Sequence, residues 1–143
     1  MRLFKQKKFG KVKAFELGWS PVGRPLMTAH FYIVDGICID TGIRHMKNEV
    51  AGLTKQYNIQ KIILTHHHED HSGNAACLKN DLNVSVYGHP MTVDKMKQGF
   101  KILPYQHYAW GAAPMLAMTP LPKIITSENI ELQPIHTPGH SKD

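Results

Sequence analysis

The sequence predicts a layered α/β fold, and three observations predict it. From residue 46 onwards, segments of helical period alternate with segments of strand length, the pattern of helices covering a sheet. Before that, two β-branched and aromatic runs flank Asp35-Gly36 in "HFYIVDGICID" (30–40), the two-residue hairpin signal in which glycine takes the positive φ of the turn. Third, "KIILT" (61–65) is a short apolar run suited to a strand covered on both faces, and it stops abruptly at "HHHEDH". At 143 residues the chain has room for a single domain, 1–143, with one core.

The elements follow in order. "KVKAFELGW" (11–19) reads as a strand, broken by the Pro/Gly-rich "SPVGRP" (20–25). The hairpin comes next and ends in the turn cluster "DTG" (40–42). Met46, Val50, Leu53 and Tyr57 recur at helical spacing, and Asn58 supplies a C-terminal stop. After "KIILT" and the histidine run, 73–80 reads as a helix, 83–88 as a strand and 91–100 as a helix. Residues 101–122 contain four prolines, which argue against one continuous helix; their Tyr, Trp and Met side chains suit either core packing or a substrate pocket. "NIELQPIHTPGHS" (129–141) reads as a strand ending in a Pro-Gly turn.

Composition excludes several classes. A chain 42% hydrophobic and 20% charged has the balance of a globular domain rather than a disordered one. No apolar run approaches the roughly 20 residues of a membrane span, and no apolar stretch follows the basic start as in a secretory signal, so a cytoplasmic location is expected. Cys38 and Cys77 both fall in segments expected to be packed and read as free thiols. Much of the net charge of +6 sits in Arg2, Lys5, Lys7, Lys8, Lys11 and Lys13. Such a block suits nucleic acid or a solvated terminal strand, and the absence of aromatic interleaving favours the solvated strand.

Four histidines, a glutamate and an aspartate fill positions 66–71, directly after an apolar strand. The end of a parallel strand is where catalytic loops commonly sit. In extended chain, side chains two apart share a side, so His66 and His68 project together. Asp70 and His71, just beyond and at the start of a helix, are expected to face a different direction. Protease-type zinc signatures fail on spacing. His68-Glu69-Asp70-His71 brings the second histidine one residue too early for His-Glu-x-x-His, and Asp70 stands where the inverted form requires histidine.

His-x-His-x-Asp-His is satisfied by His66, His68, Asp70 and His71, and with Thr65 before it and Ser72-Gly73-Asn74 after, it resembles the signature of the metallo-β-lactamase fold superfamily. "IHTPGHS" (135–141) resembles the family's Thr-Pro-Gly-His-Ser turn, and "FYIVDGICIDTG" its preceding hairpin and Asp-Thr-Gly turn. "THHHEDHSGN" followed by "VSVYGHP" is similar to the glyoxalase II branch; "HTPGHSKD" is as similar to lactonase-type or endoribonuclease-type relatives. The resemblance implies the first half of an αββα sandwich, a mixed sheet flanked by helices. It implies that His66, His68 and His140 ligate a first metal and that Asp70 and His71 contribute to a second. Three neutral imidazoles leave zinc an open tetrahedral position for water, whose pKa falls to about 7, giving hydroxide at neutral pH. Asp70 is the implied catalytic residue, orienting that hydroxide and taking up its proton. Asp40 is the implied support of the metal loop.

Zinc is the implied cofactor, with iron or manganese as alternatives. The implied activity is hydrolysis of an ester, thioester, lactone or lactam in a small-molecule substrate. Alternatives are a phosphodiesterase acting on RNA or DNA and a catalytically incomplete metal-binding fragment. His136 is expected to be structural, and His30, His45, His89 and His107 lack ligand spacing. The family domain ordinarily runs well past the Thr-Pro-Gly-His-Ser turn, so a truncated enzyme, or completion by a second copy in a homo-oligomer, is expected. One tightly held zinc and a weak second position follow from that.

Overall fold

A computed structural model describes residues Met1–Asp143. Its centre is a seven-stranded mixed sheet in which strand order follows chain order. Strands β1 (Arg2–Phe9), β2 (Val12–Trp19), β3 (Ala29–Val34) and β4 (Ile37–Ile39) pair antiparallel. Strands β5 (Lys61–Leu64), β6 (Ser85–Gly88) and β7 (Thr119–Pro120) then add in parallel. Parallel pairing needs crossovers, and helices α1 (Lys47–Gln56), α3 (Ala75–Leu82) and α4 (Pro90–Gln98) lie in them, with the short α2 (Glu69–Ser72) before α3 and α5 (Pro104–Trp110) before β7. This is the mixed α/β architecture that the alternation predicts.

Local chemistry sets the element ends. Asp35 and Gly36 have φ of 46° and 74°, both positive as a type I′ turn requires, so β3 and β4 fold back tightly. Helix α1 stops where Asn58 takes a left-handed φ of 47°, and α3 stops likewise at Asn83, φ 54°. Proline opens both α4 and α5, where its missing N–H costs nothing.

Alternation along the strands makes two faces. Phe15, Leu17, Phe31, Ile33, Cys38, Ile62, Leu64 and Val86 point to the helical side, where they meet Met46, Val50, Leu78 and Met96. Each such side chain fully withdrawn from water contributes about 1.5–3 kcal/mol. Val34, Ile37 and Ile63 point the other way and pack against Ile125. Ile125 belongs to a separate two-stranded sheet of β8 (Ile125–Thr126) and β9 (Glu131–Leu132), which covers part of that second face. Beside it lies a cavity of about 540 Å³ bounded by Ile39, Ile63, Leu121 and Pro134.

The basic start is the solvated strand expected of it: β1 pairs with β2 along its whole length and leaves its charged side chains exposed. Lysines on an edge strand discourage pairing with another sheet, which accounts for Lys5, Lys7 and Lys8 without a ligand. The strand expected over 129–141 shrinks to Glu131–Leu132, because Pro134 and Pro138 remove donors from the rest. Cys38 and Cys77 are free thiols, as expected. No helix is long and apolar enough to cross a membrane.

The parallel strands decide where chemistry can sit. β4, β5 and β6 end at one edge, and each is followed at once by a polar residue: Asp40, Thr65 and His89. Register places Ala29 and Leu17 at this edge and the β1–β2 turn at the opposite one.

Candidate metal centre

The carboxyl edge of β5 launches the histidine run. His66 emerges at the end of the strand, the chain turns at His68, and α2 begins at Glu69. Ser72 closes this turn by donating its hydroxyl to the carbonyls of His67 (2.7 Å) and His68 (2.9 Å). The Asp40-Thr41-Gly42 turn is clipped to the same segment. Thr41 donates its backbone N–H (2.7 Å) and its hydroxyl (2.8 Å) to the His71 carbonyl, and the Asn74 amide donates to the carbonyls of Thr41 (2.8 Å) and Ile43 (2.9 Å). Gly73 permits this contact. A Cβ there would stand 2.7 Å from the backbone oxygens of Glu69 and Gly42 and 2.9 Å from the Arg44 nitrogen.

Asp40 is the hub beneath the loop. Its buried carboxylate accepts from the Thr65 N–H (2.8 Å), the Thr65 hydroxyl (2.8 Å) and His71 Nδ1 (2.8 Å). With its proton given to Asp40, the Thr65 oxygen is left to accept from His66 Nδ1 at 3.0 Å. That relay sets the His66 tautomer, with Nδ1–H directed at Thr65 and the Nε2 lone pair directed into the centre.

Three imidazoles meet there. His66 Nε2 lies 3.1 Å from His68 Nδ1, and His140 Nε2 lies 3.0 Å from the same atom. All three ligand atoms fall within 4.8 Å of one another. Hydrogen bonding cannot satisfy this cluster, because His68 Nδ1 has one proton or one lone pair and two nitrogens press on it. A shared cation can. Imidazole nitrogens at about 2.0–2.1 Å from a tetrahedral zinc stand roughly 3.3 Å apart, close to the two short separations seen here. The donor set therefore fits a divalent metal of borderline softness.

Electrostatics agree with that fit. Burial, and then the charges of His71 and His68, push the His66 pKa down to about 3, and burial likewise lowers His68. Both are neutral at pH 7, as ligands must be. Burial also works against charge on His71. The hydrogen bonds to Asp40 and Asp70 outweigh it, and the pKa rises to about 10. For Asp70, burial raises the pKa, but the His71 hydrogen bond and charge win and hold it below the usual carboxylate range.

A pH dependence follows. His66 binds fewer protons folded than unfolded between its ordinary value near 6.5 and about 3, so its contribution to stability is lost as pH falls through that window. The metal-free chain is expected to show a falling urea midpoint from pH 6.5 to 4.5, with the lowered His67 and His68 acting in the same direction. A flat midpoint over that interval would overturn the assignment.

The structure brings His66, His68 and His140 together as a triad. Asp70 and His71 form an adjoining pair, His71 Nε2 lying 3.3 Å from Asp70 Oδ2. They do not face away, as was expected of residues at the start of a helix. The turn into α2 carries His71 back, so that its ring centroid stands 4.2 Å from that of His66. His67 is buried and bonded to Asp143, with Nδ1 2.9 Å from Oδ2. Glu69 is buried, and burial raises its pKa. His136 is exposed and stacks on His89 with ring centroids 4.5 Å apart. The sequence reading gave no role to Asp143 or Lys95, which no ligand spacing marks, and took Thr65 only as a flank of the histidine motif.

The comparisons with known proteins come to bear on this geometry. The sequence pattern of the metallo-beta-lactamase superfamily matches residues 32–143. Among solved structures, a metallo-beta-lactamase of Cronobacter sakazakii superposes with a TM-score of 0.68 at 18% identity, covering 90% of this chain and 53% of that one. The subclass B3 metallo-beta-lactamase of Bradyrhizobium japonicum gives 0.63 at 20% identity, covering 80% and 47%. The chain thus spans about half the length of the structures it matches. No curated protein matches it.

Proposed function

Because this chain belongs to the metallo-beta-lactamase superfamily, we propose that it carries the metal-holding part of a hydrolase that opens an ester, thioester, lactone or lactam in a small molecule. The observation behind this is the meeting of His66, His68 and His140 nitrogens around one unsatisfied point. Zinc is the proposed ion, with iron or manganese as alternatives. When bound, it supplies Lewis acidity towards water and towards a carbonyl oxygen.

The chain's own residues supply the rest. His66 and His68 hold the ion from the loop, and His140 closes the set from the far turn. Thr65 and Asp40 keep His66 in the tautomer that presents Nε2. Asp70, 18% exposed and held below the usual carboxylate range, is the proposed acceptor of the proton that the attacking water would give up. A screen of thioesters, lactones and β-lactams with the full protein, with and without chelator, tests the reading. Chelator-sensitive turnover is expected; turnover indifferent to chelator would reject it.

Asp70 and His71 are the proposed contributors to a second position. His71 is a charged partner of two carboxylates, so a second cation must first displace its proton. Zinc titration with a chromophoric competitor is expected to give one tight equivalent and a second at least tenfold weaker at pH 7. Two equivalents of equal affinity would contradict this. A nucleic-acid substrate is the weaker reading. Lys7, Lys8, Lys11 and Lys13 lie towards the β1–β2 turn, at the sheet edge opposite the histidines, where they cannot guide a backbone onto the centre.

A further inference from the structure

We propose that Asp143 is the positioning residue that latches the turn carrying His140 onto the loop carrying His66 and His68, and so keeps the triad assembled; this rests on the metal-site reading above. Residues 133–140 are exposed throughout, so packing beyond the His136–His89 ring stack does little to hold His140 in place. Segment 133–143 makes no backbone hydrogen bond to the rest of the chain. Its side-chain hydrogen bonds to the rest of the chain all run through Asp143, apart from the His68–His140 contact itself.

The Asp143 side chain is fully buried, and its partners lie on the two elements beside the centre. Oδ2 accepts from the His67 backbone N–H at 3.1 Å, from His67 Nδ1 at 2.9 Å and from the Thr92 hydroxyl at 2.9 Å. Oδ1 lies 3.1 Å from His67 Nδ1 and 3.5 Å from Lys95 Nζ, and it accepts from the Ser141 hydroxyl. Lys95 also approaches His67 Nδ1 at 3.3 Å, but that nitrogen cannot donate to the carboxylate and accept from an ammonium together. The shorter carboxylate contacts decide it: Nδ1–H points at Asp143.

The latch therefore grips the chain between His66 and His68 from one side and ends the turn three residues after His140 on the other. His68 and His140 are 72 residues apart in sequence. Without the latch, each binding event must order the exposed turn afresh, and that conformational entropy is charged against metal affinity.

The test uses the full protein with zinc as the probe, its affinity read by competition with a chromophoric chelator and the unfolding midpoint of the chelated form read alongside. Asp143→Ala is expected to weaken zinc about 10–100-fold, the range for groups that orient ligands, and to lower the metal-free midpoint as well, because the His67 N–H and the Thr92 hydroxyl lose a buried acceptor. Asp143→Asn is expected to recover most of the loss. Its amide oxygen can replace Oδ2 for His67 and Thr92, and its NH2 can donate to Ser141. Unchanged zinc affinity in Asp143→Ala would overturn the latch. So would a parallel loss of affinity and metal-free stability that asparagine does not rescue, the mark of a general packing role. His140→Ala separates the two readings. If it binds zinc as well as the parent does, the metal-site reading fails and the latch with it; if it loses zinc while Asp143→Ala keeps it, only the latch fails.

Discussion

His140→Ala is expected to lower zinc affinity by two to three orders of magnitude while leaving the fold intact. Zinc sites built from about four ligands bind with roughly 10–16 kcal/mol, so one imidazole accounts for about 3 kcal/mol or more. The fold is spared because His140 is exposed and its ring meets the rings of His66 and His68, so no cavity opens in the core. His66→Ala makes the less informative variant: its side chain is buried beside Thr65, and its removal mixes a packing loss with the ligand loss. The measurement is zinc competition together with the circular dichroism of the metal-free protein. A variant that keeps parental affinity would show that the three nitrogens do not act on one ion. If chelator-sensitive turnover exists, it should vanish with the same substitution.

What could be read in the sequence, and what could not, divides along the range of the forces involved. The β3–β4 hairpin was legible because Asp35-Gly36 encodes its own positive φ values, and α1 because Val50 and its neighbours repeat at 3.6 residues. The triad was legible through resemblance, since spacing alone could pair His66 with His68 but had no means of bringing His140 across 72 residues. Strand β1 was legible only as a solvated basic segment, because its pairing comes from backbone hydrogen bonds to β2 while its side chains are mostly exposed and three of its eight residues are lysine. His71 was misjudged in direction because a helix start was expected to carry it away from His66, whereas the tight turn into α2 brings the two rings together. Asp143 carried no local signal at all: its partners on the His67 loop and α4 are 48 to 76 residues away in sequence, and only the folded chain gathers them.

Asp40→Ala is expected to be the most destabilising single substitution near the centre, by about 3–5 kcal/mol, the range for removing one partner of a buried charged network. The carboxylate is 1% exposed and serves Thr65 and His71 at once, so its loss strands a buried N–H, a hydroxyl and a protonated imidazole. In a chain of this length that corresponds to a fall of about 10–15 °C in Tm. Asp40→Asn should cost less. Asparagine tolerates the left-handed φ of 61° at this position and can still accept one hydrogen bond, but it lacks the charge that holds His71 protonated. The His71 pKa, about 10 in the parent, should then fall towards its ordinary value near 6.5. Because a raised folded pKa stabilises fully below 6.5 and is lost as pH climbs towards 10, the stability gap between parent and Asp40→Asn in the chelated protein should be widest near pH 6 and narrow above pH 9. Thermal melts across that range, with His71 followed by NMR, check both effects. A gap that is constant with pH would mean that Asp40 acts through shape alone and leaves the protonation of His71 to other groups.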